Sequence, residues 1–332
     1  MSAEARYDVI GIGNAIVDIL ARVDERVLAE CDLAKGSMSL IDEARANALR
    51  AKITPAAVMS GGSAANTMAG LASFGARGAF IGKVRDDDAG RDFAQALRGI
   101  GIDYTTPVSG EGPGTAVCLV FVTPDGERTM STYLGACQGL SPADLDEGAI
   151  ASSKVLYLEG YLWDPAQAKD AFRKAVTIAH GANRKVALSL SDAFCVDRYR
   201  DEFLGLMRDR SVDIVFCNES ELHSLYQTAD FDTALRAIAQ DNVHAVITRS
   251  EQGCVVVVPG AAPQAVPARK VDAVVDTTGA GDLFAAGYLA GFSRGESARR
   301  CAELGALGAS EIIKHLGARP QVDLKALAAT LA

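Results

Sequence analysis

Strand and helix patterns alternate through the second half of this 332-residue chain, and this alternation constrains its fold more than any other feature. Short apolar runs typical of strands fall at residues 155–158, 185–190, 214–217, 245–248 and 254–258. Longer helix-like segments lie at residues 165–180, 197–208, 219–226 and 231–241. Strands that alternate with helices of this length predict a mostly parallel sheet covered on both faces. Ligands of such sheets bind outside the carboxyl ends of the strands.

Composition narrows the function classes. Hydrophobic residues make up 49% and charged residues 23% of the chain, which is ordinary for a soluble globular protein. The net charge of −9, with no Lys/Arg run, argues against nucleic-acid binding. We expect neither a signal sequence nor a membrane span. Seven scattered cysteines and four isolated histidines form no metal-ligand cluster, so we expect reduced thiols, a cytoplasmic location and no zinc.

The first half of the chain combines helix patterns with extended segments. A strand near residues 7–14 ends in Gly11-x-Gly13, but Ile16 stands where a dinucleotide fingerprint needs its third glycine. Alternating segments at 117–122 and 128–133 flank Pro124-Asp125-Gly126, which predicts a hairpin. We expect this hairpin and residues 15–41 to form a small lid sheet. The whole chain, 1–332, is then one domain with lid segments at about 15–41 and 105–135. By itself, Asp18 is interpreted as a solvent-facing strand residue.

The motif Asp276-Thr-Thr-Gly-Ala-Gly-Asp282 leads directly into an apolar, helix-like run. Two glycines around Ala280 let consecutive backbone N–H groups point one way at a helix N-terminus, where they attract an anion. Asp282 places a carboxylate beside that site, and a base next to a phosphate pocket explains this pairing better than capping does. The alternative is that Asp276 or Thr278 caps the helix and that the glycines form an ordinary turn.

A second glycine site, Gly61 with Gly62, opens a predicted helix of small residues at 64–74. Paired glycines let the backbone approach a ligand, and Asn66 can present its amide to that ligand. Close packing of the helix on the sheet would explain the same residues. Arg128, just past the hairpin turn, is ordinarily a solvated edge charge, but in an enzyme that handles phosphate it could act as a movable clamp.

Together these stretches resemble the PfkB (ribokinase-like) carbohydrate kinase family. Residues 276–282 resemble its signature, and Gly61-Gly62 with Asn66 resembles its N-terminal motif. Asn218-x-x-Glu221 and residues 248–253 fall where that family has its nucleotide-side motifs. The resemblance implies a three-layer α/β/α sandwich with a mostly parallel central sheet and a small β-sheet lid. It also implies ATP as donor, Mg²⁺, and transfer of the γ-phosphoryl group to a primary hydroxyl.

The resemblance also implies roles for individual residues. Asp282 becomes the base that takes the acceptor proton, and Arg128 matches an arginine of the adenosine kinase branch that closes on the phosphate. The implied anion hole is formed by Gly279, Ala280 and Gly281. The implied acceptor contacts are Gly13, Asn14, Asp18, Gly61, Gly62 and Asn66. The implied nucleotide contacts are Asn218, Glu221, Thr248, Gly253 and Thr278. Glu221 would act on Mg²⁺ through water, and Asp276 with Thr278 would help to hold a monovalent cation such as K⁺.

The acceptor is the least constrained part of the prediction. Gly13-Asn14-x-x-x-Asp18 and Arg128-Thr129-Met130 resemble adenosine kinases more than ribokinases or fructokinases. A purine needs an apolar slot. Its candidate residues, each equally explained by core or lid packing, are Ile16, Leu40, Met130 and Tyr161, of which the tyrosine could stack on the base. The expected order of acceptors is adenosine, then inosine or guanosine, then a free sugar such as ribose or fructose.

Two other function classes fit the sequence less well. A nicotinamide-dependent oxidoreductase lacks its third glycine here, and a non-catalytic nucleotide-binding regulator should have lost Asp282. We therefore expect a kinase whose partners are ATP and a small nucleoside or sugar, without nucleic acid or membrane. The chain is expected to act as a monomer or a homodimer, because open lid edges can pair between subunits.

Overall fold

The computed structural model describes residues 5–331, whose strands form one large and one small sheet. The strands are β1 (Tyr7–Ile12), β2 (Ile16–Arg22), β3 (Met38–Leu40), β4 (Ala57–Gly61), β5 (Gly78–Ile81), β6 (Ile102–Tyr104), β7 (Ala116–Val122), β8 (Arg128–Tyr133), β9 (Ser153–Glu159), β10 (Lys185–Ser189), β11 (Ile214–Asn218), β12 (His244–Thr248), β13 (Cys254–Val257) and β14 (Gln264–Val266). The helices are α1 (Glu25–Glu30), α2 (Glu43–Arg50), α3 (Ser63–Ser73), α4 (Asp88–Gly99), α5 (Glu147–Ala151), α6 (Ala166–Gly181), α7 (Ala193–Arg208), α8 (Glu219–Tyr226), α9 (Phe231–Gln240), α10 (Ala280–Ser293), α11 (Ala298–Ile312) and α12 (Leu324–Ala328).

The large sheet has nine strands in the order β14-β13-β12-β11-β10-β9-β1-β5-β6. Neighbouring strands from β6 to β12 are parallel, whereas β13 is antiparallel to both of its neighbours. The carboxyl ends of the parallel strands therefore share one edge of the sheet. The predicted α/β architecture with a mostly parallel central sheet is confirmed.

Side chains that alternate along the strands pack into two cores, one on each face of the large sheet. Val9 of β1 lies in the first core, and its neighbour Ile10 lies in the second. Val246 and Ile247 of β12 divide in the same way. Helices α3, α10 and α11 contribute to the first core and α6, α7 and α8 to the second. Both faces of the sheet are thus covered, as a parallel sheet requires.

The small sheet has five strands in the order β3-β8-β7-β2-β4. β7 and β8 pair antiparallel around a turn that contains Gly126, whose φ is 85°, so the predicted hairpin is confirmed. β2 carries the chain from β1 into this sheet and pairs in parallel with β7. Segments 15–41 and 105–135 therefore meet in one sheet, with β3 and β4 at its edges.

Strand β4 gives little strand signal in the sequence, because its five residues lie just after Pro55 and end in a glycine. It pairs antiparallel with β2, which brings Gly61 opposite Ile16. The chain passes from Gly61 through Gly62 into α3. The glycine pair therefore joins the small sheet to the body of the protein.

The ends of two helices and the state of the cysteines were also predicted. Helix α3 ends before Gly75, whose φ of 73° suits a helix terminus. Helix α7 begins four residues earlier than predicted, because Asp192 caps it by accepting the N–H of Cys195. All seven cysteines are free and buried, as predicted. Among residues 5–331 no helix combines the length and the apolar character needed to cross a membrane.

Candidate active site at the carboxyl edge of the large sheet

Helix α10 begins at a left-handed glycine. Gly279 is its N-cap residue, with φ 78° and ψ 2°, a conformation that costs other residues about 1–2 kcal/mol. Ala280 donates its N–H to the carbonyl of Thr277 at 3.2 Å. Within the described residues, the N–H groups of Gly281 and Asp282 donate to no backbone carbonyl. Of the three donors expected at 279–281, only Ala280 is therefore bonded within the loop, and among the described residues the N–H groups of Gly279, Gly281 and Asp282 are free for an anion.

Asp276 shapes the loop that precedes α10. Its Oδ1 accepts hydrogen bonds from the N–H of Thr278 at 3.0 Å and from the Thr278 hydroxyl at 2.7 Å. Its Oδ2 accepts the N–H of Gly317 at 2.9 Å and lies 3.1 Å from Nη1 of Arg128. The same Nη1 donates to the Thr278 hydroxyl at 2.8 Å. Both carboxylate oxygens thus face donors, which favours a loop-shaping role over a role as cation ligand.

Arg128 brings the small sheet onto this loop. Strand β8 begins at Arg128, and the Arg128 side chain is only 11% exposed. Its Nε and Nη2 are buried and have no hydrogen-bond partner among the described residues. Buried guanidinium donors are normally paired, so this arginine has capacity for a further acceptor such as a phosphate oxygen.

Asp282 lies in the first turn of α10 and faces the start of α3. Its Oδ1 accepts the Ser63 hydroxyl at 2.6 Å, and its Oδ2 accepts Nδ2 of Asn66 at 3.0 Å. Burial raises the pKa of Asp282 to about 6, against the opposing effects of these donors and of Arg319. Burial therefore outweighs the hydrogen-bond donors around this carboxylate. The carboxylate is still about 90% ionised at pH 7.

The glycine pair brings the β4–α3 corner close to β2. Gly62 has φ 91°, and a Cβ atom there would lie 2.1 Å from the carbonyl oxygen of Asn14. A Cβ atom on Gly61 would lie 2.3 Å from the carboxyl carbon of Asp18. Both positions therefore require glycine, and the two glycines place Asn14 and Asp18 beside the first turn of α3.

Asp18 is half-buried in this corner, so its interpretation as a solvent-facing strand residue was wrong. Burial and, to a smaller extent, the negative charge of Asp282 raise its pKa to about 6. The nearby charges of Arg319 and Arg128 act in the opposite direction. Asp18 and Asp282, separated by most of the sequence, therefore face one shared polar site.

Glu159, at the end of β9, is a site residue that the sequence analysis missed. It is 1% exposed and accepts Nδ2 of Asn14 at 2.7 Å and the N–H of Ala64 at 2.8 Å. Gly13 permits this approach, because a Cβ atom there would lie 2.3 Å from the Glu159 Oε2. Burial raises the pKa of Glu159 to about 7. A charged residue at the end of an apolar strand was the signal that could have identified it.

Two amide oxygens point to a polar ligand. Oδ1 of Asn14 and Oδ1 of Asn66 are buried and have no hydrogen-bond partner among the described residues. Their Nδ2 atoms are held by Glu159 and Asp282, respectively. Each amide is thus oriented with its acceptor unsatisfied, which suits a ligand that carries hydroxyl donors.

Glu159 should make the protein less stable as the pH rises. Its folded pKa of about 7 lies above the ordinary value of 4.5, so the folded state holds the proton more tightly than the unfolded state does. The contribution of Glu159 to stability is therefore greatest below about pH 4.5 and is lost as the pH rises through 7. Glu159→Gln should reduce the loss of unfolding free energy between those values by up to about 3 kcal/mol.

Urea unfolding of the ligand-free protein at both pH values measures this difference. Glu251→Gln, which replaces an exposed carboxyl, is the matched control and should leave the pH dependence unchanged. An equally steep fall of stability in Glu159→Gln and in the unchanged protein would contradict the buried-carboxyl explanation.

Apolar side chains also border this edge. On the small sheet, Met130 is half-buried and Leu40 is 59% exposed. On the body, Tyr161 follows β9 and is 37% exposed. Phe194, which the sequence analysis missed, follows β10 and is 79% exposed. Such exposure of a large aromatic side chain beside polar site residues is a feature of ligand-binding surfaces.

Two hydrogen bonds connect the Tyr161 and Phe194 segments. The Ser191 hydroxyl accepts the N–H of Tyr161 at 3.0 Å, and the Cys195 thiol donates to the Gly160 carbonyl at 3.3 Å. These bonds hold the chain after β9 against the start of α7. The two aromatic residues therefore lie on adjoining segments at the carboxyl ends of neighbouring strands.

The predicted nucleotide-side residues lie at the ends of β11 and β12. Asn218 caps α8, and its side chain accepts the N–H of Glu221 at 2.8 Å. The Glu221 carboxylate in turn accepts the N–H of Asn218. Burial raises the pKa of Glu221 to about 7. Thr248 ends β12, and Gly253, with φ 88°, lets the chain turn close to the carbonyl of Val266.

The donor set indicates how a magnesium ion would be held. No cluster of three or more His, Cys, Asp or Glu side chains suited to a metal occurs within residues 5–331. Mg²⁺ in phosphate-transfer sites commonly uses only one or two carboxylates and takes its other ligands from phosphates and water. Glu221, a single carboxylate beside the predicted nucleotide side, is consistent with an outer role of this kind.

Comparison with known proteins agrees with this geometry. The family model described as "pfkB family carbohydrate kinase" matches residues 47–324. Adenosine kinase from Saccharomyces cerevisiae is 26% identical, with 92% of this chain and 94% of that protein covered. ATP-dependent ribose-1-phosphate kinase from Halopiger xanaduensis is 31% identical, with 69% and 72% covered. The crystal structure of adenosine kinase from Sinorhizobium meliloti is 51% identical, with a TM-score of 0.91 and 99% and 100% covered.

Proposed function

This chain belongs to the PfkB family of carbohydrate kinases, and from that premise we propose that it phosphorylates the primary 5′-hydroxyl of a purine nucleoside, adenosine first. An ATP-dependent phosphotransferase acting on a hydroxyl group is what the family membership and the adenosine kinase relatives establish. The nucleoside as acceptor is the part that we propose. Relatives named for ribose 1-phosphate and for fructose belong to the same family, so family membership does not select the acceptor.

The observation that carries the catalytic proposal is the position of Asp282 beside free N–H groups at the start of α10. The acceptor oxygen attacks the γ-phosphorus of ATP, the bond between that phosphorus and the ADP oxygen breaks, and the hydroxyl proton passes to Asp282. A carboxylate with a pKa of about 6 is a weak base for an alcohol, so it orients the hydroxyl and accepts the proton late.

Charge on the transferred group is met by fixed donors. The N–H groups of Gly281 and Asp282 and the positive end of the α10 dipole face the anion from one side. Arg128 approaches the same loop from the small sheet. Mg²⁺ would neutralise phosphate charge, with Glu221 acting on it through water. Because the transition state of phosphoryl transfer is loose, such positioning and charge stabilisation supply most of the catalysis.

Acceptor recognition divides into polar and apolar parts. Asp18 and the free amide oxygens of Asn14 and Asn66 suit the vicinal hydroxyls of a ribose ring. A free sugar needs little more than such a polar site. The exposed side chains of Leu40 and Phe194 offer apolar surface that a base would cover. This surplus of apolar surface favours a nucleoside over a free sugar.

The direct test is ADP release from Mg-ATP with adenosine, inosine, guanosine, ribose and fructose in turn. We expect adenosine to give the highest kcat/KM. A response to ribose or fructose alone would refute the nucleoside proposal and leave the kinase reaction intact. If no acceptor stimulated ADP release, the catalytic proposal itself would fail.

Removing the aromatic surface should affect nucleosides selectively. Phe194→Ala is expected to raise the KM for adenosine by about 5–150-fold, the range given by a base–aromatic contact of about 1–3 kcal/mol. The KM for ribose should stay unchanged, because a free sugar has no base to stack. Val322→Ala removes another half-exposed apolar side chain, 47% exposed, and serves as the control. Equal changes for adenosine and ribose would place Phe194 outside the base site.

The seven free and buried cysteines support a cytoplasmic location as part of the same proposal.

A further inference from the structure

Three residues that follow α11, here called the strap (residues 317–319), touch both halves of the candidate site. Gly317 donates its N–H to Asp276 in the loop before α10. Ala318 lies against the α10 N-cap, because a Cβ atom on Gly279 would be 2.7 Å from the Ala318 Cβ. Arg319 reaches to β4 and α3. The strap therefore joins the phosphate side of the site to the acceptor side.

Arg319 makes all of its hydrogen bonds to neutral acceptors. Its Nε donates to the Ser60 carbonyl at 3.1 Å, its Nη1 to the Ala65 carbonyl at 2.8 Å, and its Nη2 to the Ser60 hydroxyl at 2.9 Å. Ser60 and Ala65 lie on either side of the glycine pair that shapes the acceptor corner. Within the described residues no carboxylate accepts a hydrogen bond from Arg319, so these contacts do not neutralise its positive charge.

On the basis of the proposed function, we propose that Arg319 is a positioning residue of the transfer reaction. It fixes the β4–α3 corner and supplies the one positive charge that Asp18 and Asp282 share. It acts on substrate only through these groups. Nothing in the PfkB signature at 276–282 or in the glycine pair points to this residue.

The electrostatic surroundings support this role. The Arg319 guanidinium lowers the pKa of both Asp18 and Asp282, against the larger effect of burial. Burial in turn lowers the pKa of Arg319 to about 10, while the two carboxylates raise it. The other charged or titratable groups that interact electrostatically with Asp282 are Asp18 from β2, Tyr157 and Glu159 from β9, and Tyr161 after β9. None of these neighbours of Asp282 is a cation, so Arg319 supplies the positive charge that counteracts their effect on the Asp282 pKa.

Arg319→Met removes the charge and keeps much of the side-chain length. We expect the acid limb of the kcat/KM–pH profile to move upward by about one unit, because a nearby opposite charge shifts a carboxyl pKa by about 1–3 units. The activity deficit relative to the unchanged enzyme should then be about tenfold larger well below the limb than well above it. Arg319→Lys keeps the positive charge but loses the guanidinium N–H groups that bind Ser60 and Ala65. The acid limb of its pH profile should therefore stay in place, while its KM for the acceptor rises.

Arg294→Met is the matched control, because Arg294 donates to the Phe74 carbonyl at the far end of the same helix α3. It should leave both the limb and the KM unchanged. The proposed charge role would be overturned if the acid limb of the pH profile stayed in place in Arg319→Met. It would also be overturned if the activity of this variant were reduced by the same factor at every pH. An unchanged enzyme that phosphorylates no acceptor would instead refute the proposed function.

A second measurement tests Arg319 without any acceptor. Loss of its charge should raise the pKa of Asp18 and Asp282 further, and raised carboxyl pKa values make stability fall more steeply as the pH rises. The unfolding free energy of Arg319→Met should therefore decline more between about pH 5 and pH 8 than that of the unchanged protein. A parallel decline in the two proteins would overturn the proposal, even if no acceptor had been found.

Discussion

Asp282→Asn should lower kcat by about 10²–10⁴-fold, the usual cost of removing a general base. The acceptor KM should rise as well, because Asn66 must rotate to meet the new amide and then offers the acceptor an N–H group in place of its free Oδ1. The new amide keeps the size and planarity of the carboxyl group. Its Oδ1 can still accept the Ser63 hydroxyl, which in the unchanged protein donates to Oδ1 of Asp282 at 2.6 Å. Steady-state kinetics with saturating Mg-ATP measures kcat and KM separately.

The fold should survive this substitution. The new amide nitrogen would face Nδ2 of Asn66, but Asn66 can rotate its amide and present Oδ1, which has no partner among the described residues. Because burial penalises the charge of Asp282, the neutral variant should unfold at the same temperature as the unchanged protein or at a higher one. A large loss of activity would then not reflect unfolding.

Asp272→Asn is the matched control, because it removes an exposed carboxylate ten residues earlier in the same segment. It should retain full activity. Near-normal turnover in Asp282→Asn would show that this carboxylate serves only to connect α10 and α3. Its proposed role as the general base would then be refuted.

The sequence predicted the fold because its signals are local. Alternation of strands and helices, the Pro-Asp-Gly turn and the glycine that ends α3 each depend on a few neighbouring residues, and each has its expected place in the structure. The glycine motif at 276–282 was recognisable for the same reason. It lies at one helix terminus, where backbone conformation dictates residue type.

Residues whose roles depend on distant partners were missed or misread. Glu159 binds Asn14 and Ala64, which lie 145 and 95 residues away, so its position at a strand end could mark it as a candidate but could not indicate these partners. Arg319 follows a helix in an irregular segment and bonds to main-chain carbonyls 259 and 254 residues earlier. Asp18 alternates correctly along β2, but alternation does not tell which face of a strand another segment will cover.

Gly279→Ala should also have a large effect, for a backbone reason. Gly279 has φ 78°, where a Cβ atom costs about 1–2 kcal/mol. That Cβ would also lie 2.7 Å from the Cβ of Ala318, which is closer than packed carbon atoms approach. The loop or the strap must therefore shift, and the N–H groups that follow would no longer point where the transferred group lies. We expect kcat to fall by about 10²–10³-fold, the cost of losing one such donor, and the melting temperature to fall with it.

Two further variants separate the contributions of strain and contact. Gly281→Ala lies two residues away inside α10, where a Cβ would meet no atom within 4 Å and alanine favours the helix, so its melting temperature should not fall. The double variant Gly279→Ala/Ala318→Gly removes the contact but keeps the unfavourable φ, and should recover part of the stability. Full stability and activity in Gly279→Ala would contradict the assigned left-handed N-cap. Recovery of stability without recovery of kcat in the double variant would show that catalysis depends on the backbone conformation of Gly279 itself, because that conformation aims the helix terminus at the transferred phosphoryl group.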